Sequence, residues 1–202
     1  MSKNIIFLGS SVTYGVDDWS MCEYIRETTD MNVVKWAVSG TTLADISDDS
    51  YVSRLKKHID TEELCDCFVC QLSTNDAKRD LPLGEISASK SIDDFDVTTV
   101  IGAIEYIVAS VQDKWHCPIM FYTGTYMEDD NYQKMVDSLV LLSKKWDFGI
   151  IDLWNNPRMR AVSSEDYIKY MNDPVHPTVL GYTEWWGPEF VKALEKVFEK
   201  QI

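Results

Sequence analysis

Three short polar stretches hold the side chains of this chain that could do chemistry together. Residues 9–13 follow the first apolar run, residues 73–76 follow a later one, and residues 173–177 lie near the C-terminus. Together they offer a serine, a histidine, an aspartate and a side-chain amide. Acyl transfer needs these parts, namely a nucleophile, a base, a group that orients the base, and donors for an oxyanion. The order and placement of the three stretches therefore predict a hydrolase site.

Ser11 is the candidate nucleophile. It comes three residues after the first predicted strand, and Gly9 and Gly15 bracket a tight turn that leads into a helix beginning near Asp17. A serine in this turn would stand at the sheet edge, where free backbone N–H groups can bind an anion. Two alternatives remain open: Ser11 is an ordinary N-cap or turn serine, or Ser10 is the nucleophile.

His176 is the candidate base. Of the other two histidines, His58 is predicted to lie on a charged helical surface, and His116 precedes a strand at the opposite end of the sheet. Asp173 is three residues before His176, so a turn would let its carboxylate reach Nδ1–H and fix the tautomer. The alternative is a loop histidine that is merely capped by a nearby aspartate.

Two further residues are candidate oxyanion donors. Asn75 follows a buried strand and can donate from Nδ2, although asparagines often only satisfy loop backbone groups. Gly40 would let the backbone approach a substrate and present its N–H, although it could equally be an ordinary turn glycine.

Short apolar runs that alternate with longer amphipathic runs predict an α/β fold, a three-layer α/β/α sandwich with about five parallel strands. We expect one domain over residues 1–202. The predicted strands are Asn4–Leu8, Asn32–Ala37, Asp66–Leu72, Ile119–Tyr122 and Gly149–Leu153. The predicted helices are Asp17–Thr29, Tyr51–Ile59, Thr98–Gln112, Asn131–Lys145 and a stretch from Thr178 to Lys200 that Gly187-Pro188 should break.

Ligands of such folds bind at the carboxyl ends of the strands. The loops over residues 9–15, 38–42 and 73–76 should therefore share one rim. Ser10, Thr41, Asp76 and Trp154 are candidates for the substrate pocket, because the first three belong to these loops and Trp154 follows a strand. Residues 77–96 show little periodicity and predict a long loop that could shape the pocket.

Charge and cysteine content limit the functional classes. The net charge of −14, from 33 acidic and 19 basic residues, argues against nucleic acid and anionic membranes as partners. Five cysteines suit a reducing compartment. Cys65, Cys67 and Cys70 are predicted to be buried thiols, with Cys65 and Cys67 on one face of a strand and Cys70 on the other, so no metal site is expected.

The chain is expected to be cytoplasmic. Met1 to Asn4 are followed by only four apolar residues, which is shorter than a secretory signal. No apolar run approaches the roughly 18 residues that span a bilayer.

The set of Gly9-Ser10-Ser11 with Gly15, then Gly40, then Asn75-Asp76, then Asp173–Pro177, resembles the SGNH hydrolase superfamily, also called GDSL-type esterases and lipases. The similarity runs from Ile5 to about Gly181. The resemblance implies a flavodoxin-like sandwich in which Ser11 is the nucleophile, His176 the general base and Asp173 its orienting group. It also implies an oxyanion hole made by the Ser11 and Gly40 N–H groups and the Asn75 side chain.

The chain departs from the family pattern at three positions. Ser10 stands where the family usually has Asp, Ser73 replaces the usual Gly, and Lys35 sits near where an Asn is common. None of these changes removes a proposed catalytic group. The Gly-x-Ser-x-Gly motif of a standard α/β-hydrolase is missing at Ser11.

The expected reaction is hydrolysis of a short-chain, chiefly acetyl, ester of a carbohydrate or small metabolite, with no metal or cofactor. The alternatives are an acyltransferase that uses the same acyl-enzyme, an acyl hydrolase of the lysophospholipase or thioesterase type, and a non-catalytic binding module. Nothing in the sequence indicates the oligomeric state.

Overall fold

A five-stranded parallel sheet forms the centre of the protein in the computed structural model, which describes residues 2–199. The strands are β1 (Asn4–Gly9), β2 (Asn32–Ala37), β3 (Cys67–Gln71), β4 (Ile119–Tyr122) and β5 (Gly149–Ile151). Their order, β2-β1-β3-β4-β5, is that of flavodoxin-like folds. The predicted α/β sandwich is therefore confirmed.

Helices connect the strands and cover both faces of the sheet. They are α1 (Ser11–Tyr14), α2 (Met21–Thr28), α3 (Tyr51–His58), α4 (Thr74–Lys78), α5 (Val100–Trp115), α6 (Asp130–Trp146), α7 (Pro157–Arg160), α8 (Ser164–Tyr170) and α9 (Gly187–Glu199), with a 3₁₀ turn at Ile92–Asp94 and a π-helical segment at Gly181–Trp186.

The strands are apolar along almost their whole length because both of their faces are buried. Alternate residues of each strand enter different cores. Ile6 and Phe68 pack against α3, α5 and α6, whereas Ile5 and Val69 pack against α2 and α9. Since the strands are parallel, their carboxyl ends form one rim, which carries the loops that end at Ser11, Gly40 and Asn75.

The second helix begins four residues later than the sequence pattern predicted. Ser20 caps it, because its side chain accepts the Cys22 N–H while Glu23 accepts the Ser20 N–H. Asp17 and Asp18, expected inside the helix, have φ of +50° and +67°. The residues just after Ser11 instead form the separate short helix α1.

The prediction that Gly187-Pro188 breaks the last helical stretch is wrong. Helical structure continues from the π-helical segment into α9, and Gly187 has ordinary α-helical angles. Pro188 lies in the first turn of α9, where the wider π-helical turn before it accommodates a residue without an N–H donor. Lys200, the predicted end of this stretch, lies outside the described residues, as does Met1.

Residues 77–96 contribute less to the rim than expected. Their first residues finish α4 and stay at the rim, where Arg79 donates to the Gly40 carbonyl at 2.8 Å. Further along, the Ser87 N–H donates to Glu105 on α5, and Lys145 on α6 donates to the Ser87 carbonyl. The later part of the segment is therefore held against the outer helices, which argues against its shaping a substrate pocket.

The prediction that Cys65 and Cys67 share one face of a strand is wrong, because β3 begins only at Cys67. Cys67 is buried on the α2 and α9 side, whereas Cys65 and Cys70 pack on the opposite side of the sheet. The Cys65 and Cys117 sulfurs lie 3.6 Å apart. Across residues 2–199, none of the helices combines the length and apolar character needed to cross a membrane.

Candidate functional site

Ser11, His176 and Asp173 meet at the carboxyl rim of the sheet. Ser11 Oγ lies 2.8 Å from His176 Nε2. His176 Nδ1 lies 2.8 Å from one carboxylate oxygen of Asp173 and 3.0 Å from the other. This arrangement matches the geometry of a nucleophile, a base and an orienting carboxylate. The His176 side chain is 42% exposed, so water can reach it.

Asp173 also organises its own loop. One of its oxygens accepts the backbone N–H groups of Val175 and His176, at 2.7 and 2.9 Å. Partial burial is the largest single influence and raises the pKa of Asp173. The backbone N–H bonds and the neighbouring imidazole together outweigh it, so the net pKa is below the ordinary value. Asp173 therefore stays ionised where His176 needs a negative partner.

The turn after β1 places Ser11. Ser11 is the first residue of α1, so its N–H has no acceptor inside the helix. Gly9 permits the turn because a Cβ there would lie 1.7 Å from Thr13 Oγ1. Gly15 ends the turn with φ of +91°, a conformation that favours glycine.

Backbone contacts within the C-terminal region place His176. Met171 and Pro177 form an antiparallel bridge, and the Asn172 N–H donates to the His176 carbonyl at 2.8 Å. The Tyr182 hydroxyl then donates to the Val12 carbonyl, also at 2.8 Å. This last bond ties the histidine-bearing region directly to the helix that carries Ser11.

The two candidate oxyanion donors lie on neighbouring loops. Gly40 has φ of +79°, and its N–H has no acceptor within residues 2–199. Asn75 Nδ2 donates one hydrogen to the Thr41 carbonyl at 2.9 Å. An amide nitrogen carries two hydrogens, so a second donor remains for a ligand, in an orientation that the first bond fixes.

Sequence reasoning missed a buried polar network beneath Ser11. Gln71, at the end of β3, accepts from the Ser10 N–H at 2.8 Å and from Thr13 Oγ1 at 2.9 Å. The Thr13 hydroxyl also bonds to Tyr122. A lone amide at the end of an otherwise apolar strand is the signal that could have revealed it, since buried polar groups need partners.

Arg54 is a second residue that was missed. It is 6% exposed, and it donates to the carbonyls of Gly9, Trp36 and Asp49 and to Thr41 Oγ1. Burial is the largest influence on it and lowers its pKa. One guanidinium thus joins the ends of β1 and β2 to the Gly40 loop. The sequence pattern that could have revealed it is a cation three residues after Tyr51, on the apolar face of α3.

The four side chains expected to line the substrate pocket are all buried, which is a correction to the prediction. Ser10 and Asp76 are 0% exposed; Ser10 bonds to Gln71, and Asp76 accepts the Leu43 and Ala44 N–H groups. Thr41 is held by Val38 and Arg54. Trp154 packs in the core with its Nε1 donating to Gln133. These residues follow strand ends, but their side chains turn inward and support the loops.

Two cavities lie near the sheet. One, of about 350 Å³, runs between β5 and α9 and is lined by residues such as Ile150 and Lys196, away from Ser11. The other, of about 560 Å³, opens between the residues after β4 and helix α8. Among residues 2–199, no cluster of three His, Cys, Asp or Glu side chains is arranged to hold a metal ion.

Comparison with known proteins is informative at the level of the fold. No protein-family model matches the chain, and neither does any curated protein. Among solved structures, a provisionally assigned GDSL-like lipase from Bacteroides ovatus is 17% identical, with a TM-score of 0.69 over 97% of this chain and 99% of the other. The native aryl esterase of M. smegmatis is 14% identical, with a TM-score of 0.68 over 97% and 100%.

A provisionally assigned lipolytic protein of the G-D-S-L family from Desulfitobacterium hafniense is 15% identical, with a TM-score of 0.69 over 95% of this chain and 99% of the other. The matches extend over nearly the full length of both chains. The resemblance to the SGNH hydrolase superfamily that the motifs indicated is thus confirmed at the level of the fold: the chain has the α/β sandwich of GDSL-type hydrolases.

Proposed function

We propose that this protein is a serine esterase of the SGNH type that hydrolyses short-chain acyl esters, chiefly acetyl esters, of a carbohydrate or small metabolite. One observation carries the proposal: Ser11 Oγ is 2.8 Å from His176 Nε2, while His176 Nδ1 is paired with Asp173. The similarity in fold to structures described as lipases and an esterase supports the same class of reaction.

In the proposed first step, His176 Nε2 takes the Ser11 proton and Ser11 Oγ attacks the acyl carbon. The carbonyl oxygen becomes an oxyanion, which accepts hydrogen bonds from the Ser11 and Gly40 N–H groups and from the free hydrogen of Asn75 Nδ2. Collapse of the intermediate breaks the ester bond, and His176 returns the proton to the departing alcohol. An acyl-enzyme on Ser11 remains.

In the second step, His176 removes a proton from water, and the resulting hydroxide attacks the acyl carbon. The acid leaves, and Ser11 regains its proton from His176. Asp173 stabilises the imidazolium in both steps without itself taking the proton. The exposure of the His176 side chain gives water access to the acyl-enzyme, which supports hydrolysis as the proposed outcome.

A cytoplasmic location belongs to the same proposal. It is supported by the five cysteines, all of which are free thiols, including the adjacent pair Cys65 and Cys117. Thiols that lie this close persist most readily in a reducing compartment.

The test is hydrolysis of p-nitrophenyl acetate, butyrate and octanoate by the wild type, Ser11→Ala and Ser10→Ala. We expect activity that falls with acyl length, vanishes in Ser11→Ala and persists in Ser10→Ala, whose buried hydroxyl does not face the site. A fluorophosphonate probe should label Ser11. Activity that survives in Ser11→Ala, or labelling at another residue, would contradict the proposal.

A further inference from the structure

The cavity beside the catalytic loops has one charged side chain among the described residues that line it. Aromatic and aliphatic groups make most of its wall, including Tyr126, Tyr167 and Trp185, and the charged group is Arg160. The chain has a net charge of −14, whereas the one charged residue among the described lining residues of this cavity is a cation.

This cavity lies within reach of the proposed catalytic groups. Two of its lining residues, Thr125 and Tyr126, follow β4, and β4 lies two strand spacings, or roughly 10 Å, from β1, the strand that precedes Ser11. Its wall includes residues of α8, and α8 leads directly into the loop of Asp173 and His176 through the bridge between Met171 and Pro177. A substrate with its ester at Ser11 could extend along the rim into this cavity.

The Arg160 guanidinium is held in place but is not neutralised. Its Nε donates to the Trp154 carbonyl at 2.9 Å, and its central carbon lies 4.0 Å from the centre of the Tyr126 ring. Within residues 2–199, its two terminal nitrogens have no hydrogen-bond acceptor or carboxylate partner. By contrast, Arg158, on the same helix α7, faces Glu189 at 3.6 Å.

A guanidinium that is fixed by stacking and by one backbone hydrogen bond has little conformational freedom left to lose when it binds a ligand. Its free edge presents two parallel N–H donors, which match a carboxylate or a phosphate better than they match a hydroxyl. One face of Trp185 is covered by Tyr170, whose ring centre lies 5.5 Å away, and one face of Tyr126 is covered by Arg160. Stacking of a neutral sugar ring is therefore less favoured here than recognition of an anion.

We propose that this cavity is a specificity subsite in which Arg160 binds an anionic group, a carboxylate or a phosphate, carried by the ester substrate at a distance from the reacting bond. The inference rests on the proposed esterase function and narrows its substrate class from small esters in general to anionic ones. Arg160 binds the substrate without touching the reacting atoms, so its removal should reduce activity toward anionic esters and spare neutral esters.

The first part of the test compares 3-(4-acetoxyphenyl)propanoate with its neutral amide, since the two differ only in charge at the far end. The variants are Arg160→Gln, Arg160→Lys and the matched control Arg158→Gln. We expect Arg160→Gln to lose about tenfold or more in kcat/KM on the anionic ester, mostly through KM, and to change little on the amide. On the anionic ester, the kcat/KM of Arg160→Lys should lie between those of the wild type and Arg160→Gln. Arg158→Gln should match the wild type.

The second part measures binding without catalysis. Calorimetry with Ser11→Ala should show binding of 3-(4-hydroxyphenyl)propanoate that is lost in Ser11→Ala/Arg160→Gln. Inorganic phosphate, tested in the same way, distinguishes a phosphate site from a carboxylate site.

The two parts separate failure of the subsite from failure of the proposed function. Wild-type hydrolysis of both esters with an unchanged anionic-to-neutral ratio in Arg160→Gln would overturn the subsite and leave the esterase intact. Binding that depends on Arg160, in a protein that hydrolyses neither ester, would uphold the anion site and overturn the esterase.

Discussion

Ser11 Oγ and His176 Nε2 lie 2.8 Å apart although 165 positions separate the two residues in the chain. Ser11 is placed by the turn after β1, and His176 by a loop that precedes the last helical region. Each of these two loops is also held by hydrogen bonds to other parts of the fold. Gln71 supports the serine turn from below, and the bond from Tyr182 to Val12 fixes the histidine region against it. The short distance between Ser11 and His176 therefore depends on contacts from several elements of the fold.

Asn75→Ala should lower kcat about 10²- to 10³-fold with little effect on KM, because the substitution removes a donor that acts on the oxyanion. Steady-state hydrolysis of p-nitrophenyl acetate measures this effect. Asn131→Ala, which removes a rim amide bonded to Asp80, is the matched control and should retain activity. Equal activity in Asn75→Ala and the wild type would exclude the proposed role.

Arg54→Met should lower the free energy of unfolding by roughly 3 kcal/mol, because it removes the buried, charge-assisted hydrogen bonds to the carbonyls of Gly9 and Trp36. Urea unfolding followed by circular dichroism gives the value. Arg54→Lys should lower the free energy of unfolding by less, because it retains the positive charge. It should still lower it, because lysine lacks the planar guanidinium. Lys57→Met, on the exposed face of α3, is the control, and a similar loss in that variant would show that the effect is not specific.

The contribution of Asp76 to stability should fall as pH rises, which is opposite to the effect of a carboxyl group whose pKa is lowered on folding. Burial is the largest influence and raises its pKa, outweighing the hydrogen bonds from Ala44, Ser73 and Leu43. Between the unfolded pKa of about 3.9 and the higher folded value, the folded state binds more protons, so this group's contribution to stability falls as pH rises.

The pH effect is isolated by comparing Asp76→Asn with the wild type in urea unfolding at a series of pH values from about 4 upward. Any stability deficit of the variant relative to the wild type should shrink, or turn into a gain, as pH rises, because only the wild type carries the group whose favourable contribution is lost. A deficit that grows with pH would mean that the pKa of Asp76 is lowered.

Cys117 should be the most reactive of the five thiols. The hydrogen bond between the Cys65 and Cys117 thiols is the largest influence and lowers the pKa of Cys117, whereas burial raises the pKa of Cys22 to about 12. Ellman's reagent should therefore show one fast phase in the folded protein, because the thiolate is the reacting form. The fast phase should vanish in Cys117→Ser and slow in Cys65→Ser; its persistence in Cys117→Ser would assign it elsewhere.

Much of the fold could be predicted from the sequence because parallel strands that are buried on both faces read as continuous apolar runs. β2 and β4 agree with their predicted bounds, and the other three strands differ by a few residues at their ends. The start of α2 was misplaced because Asp17 and Asp18 adopt positive φ, which the helical spacing of Trp19 and Cys22 does not reveal.

The residues that meet at the rim could also be predicted, since each follows a strand end or precedes a helix. Whether a rim side chain faces outward or inward could not. Asp76 and Trp154 turn inward because partners from distant parts of the chain, the Leu43 N–H and the Gln133 amide, are in position to bond to them. Arg54 and Gln71 escaped notice for the same reason, because their partners are backbone or side-chain groups far away in sequence.

The bond between the Tyr182 hydroxyl and the Val12 carbonyl spans 170 positions, and this has a consequence for biosynthesis. Ser11 leaves the ribosome well before Tyr182, because it lies far upstream in the chain. Such long-range contacts form late because closing large loops costs entropy before the contacts compensate for it. The nascent chain can therefore build much of its sheet before the proposed catalytic groups meet, and the proposed esterase would become competent only when the region of His176 and Tyr182 docks on α1.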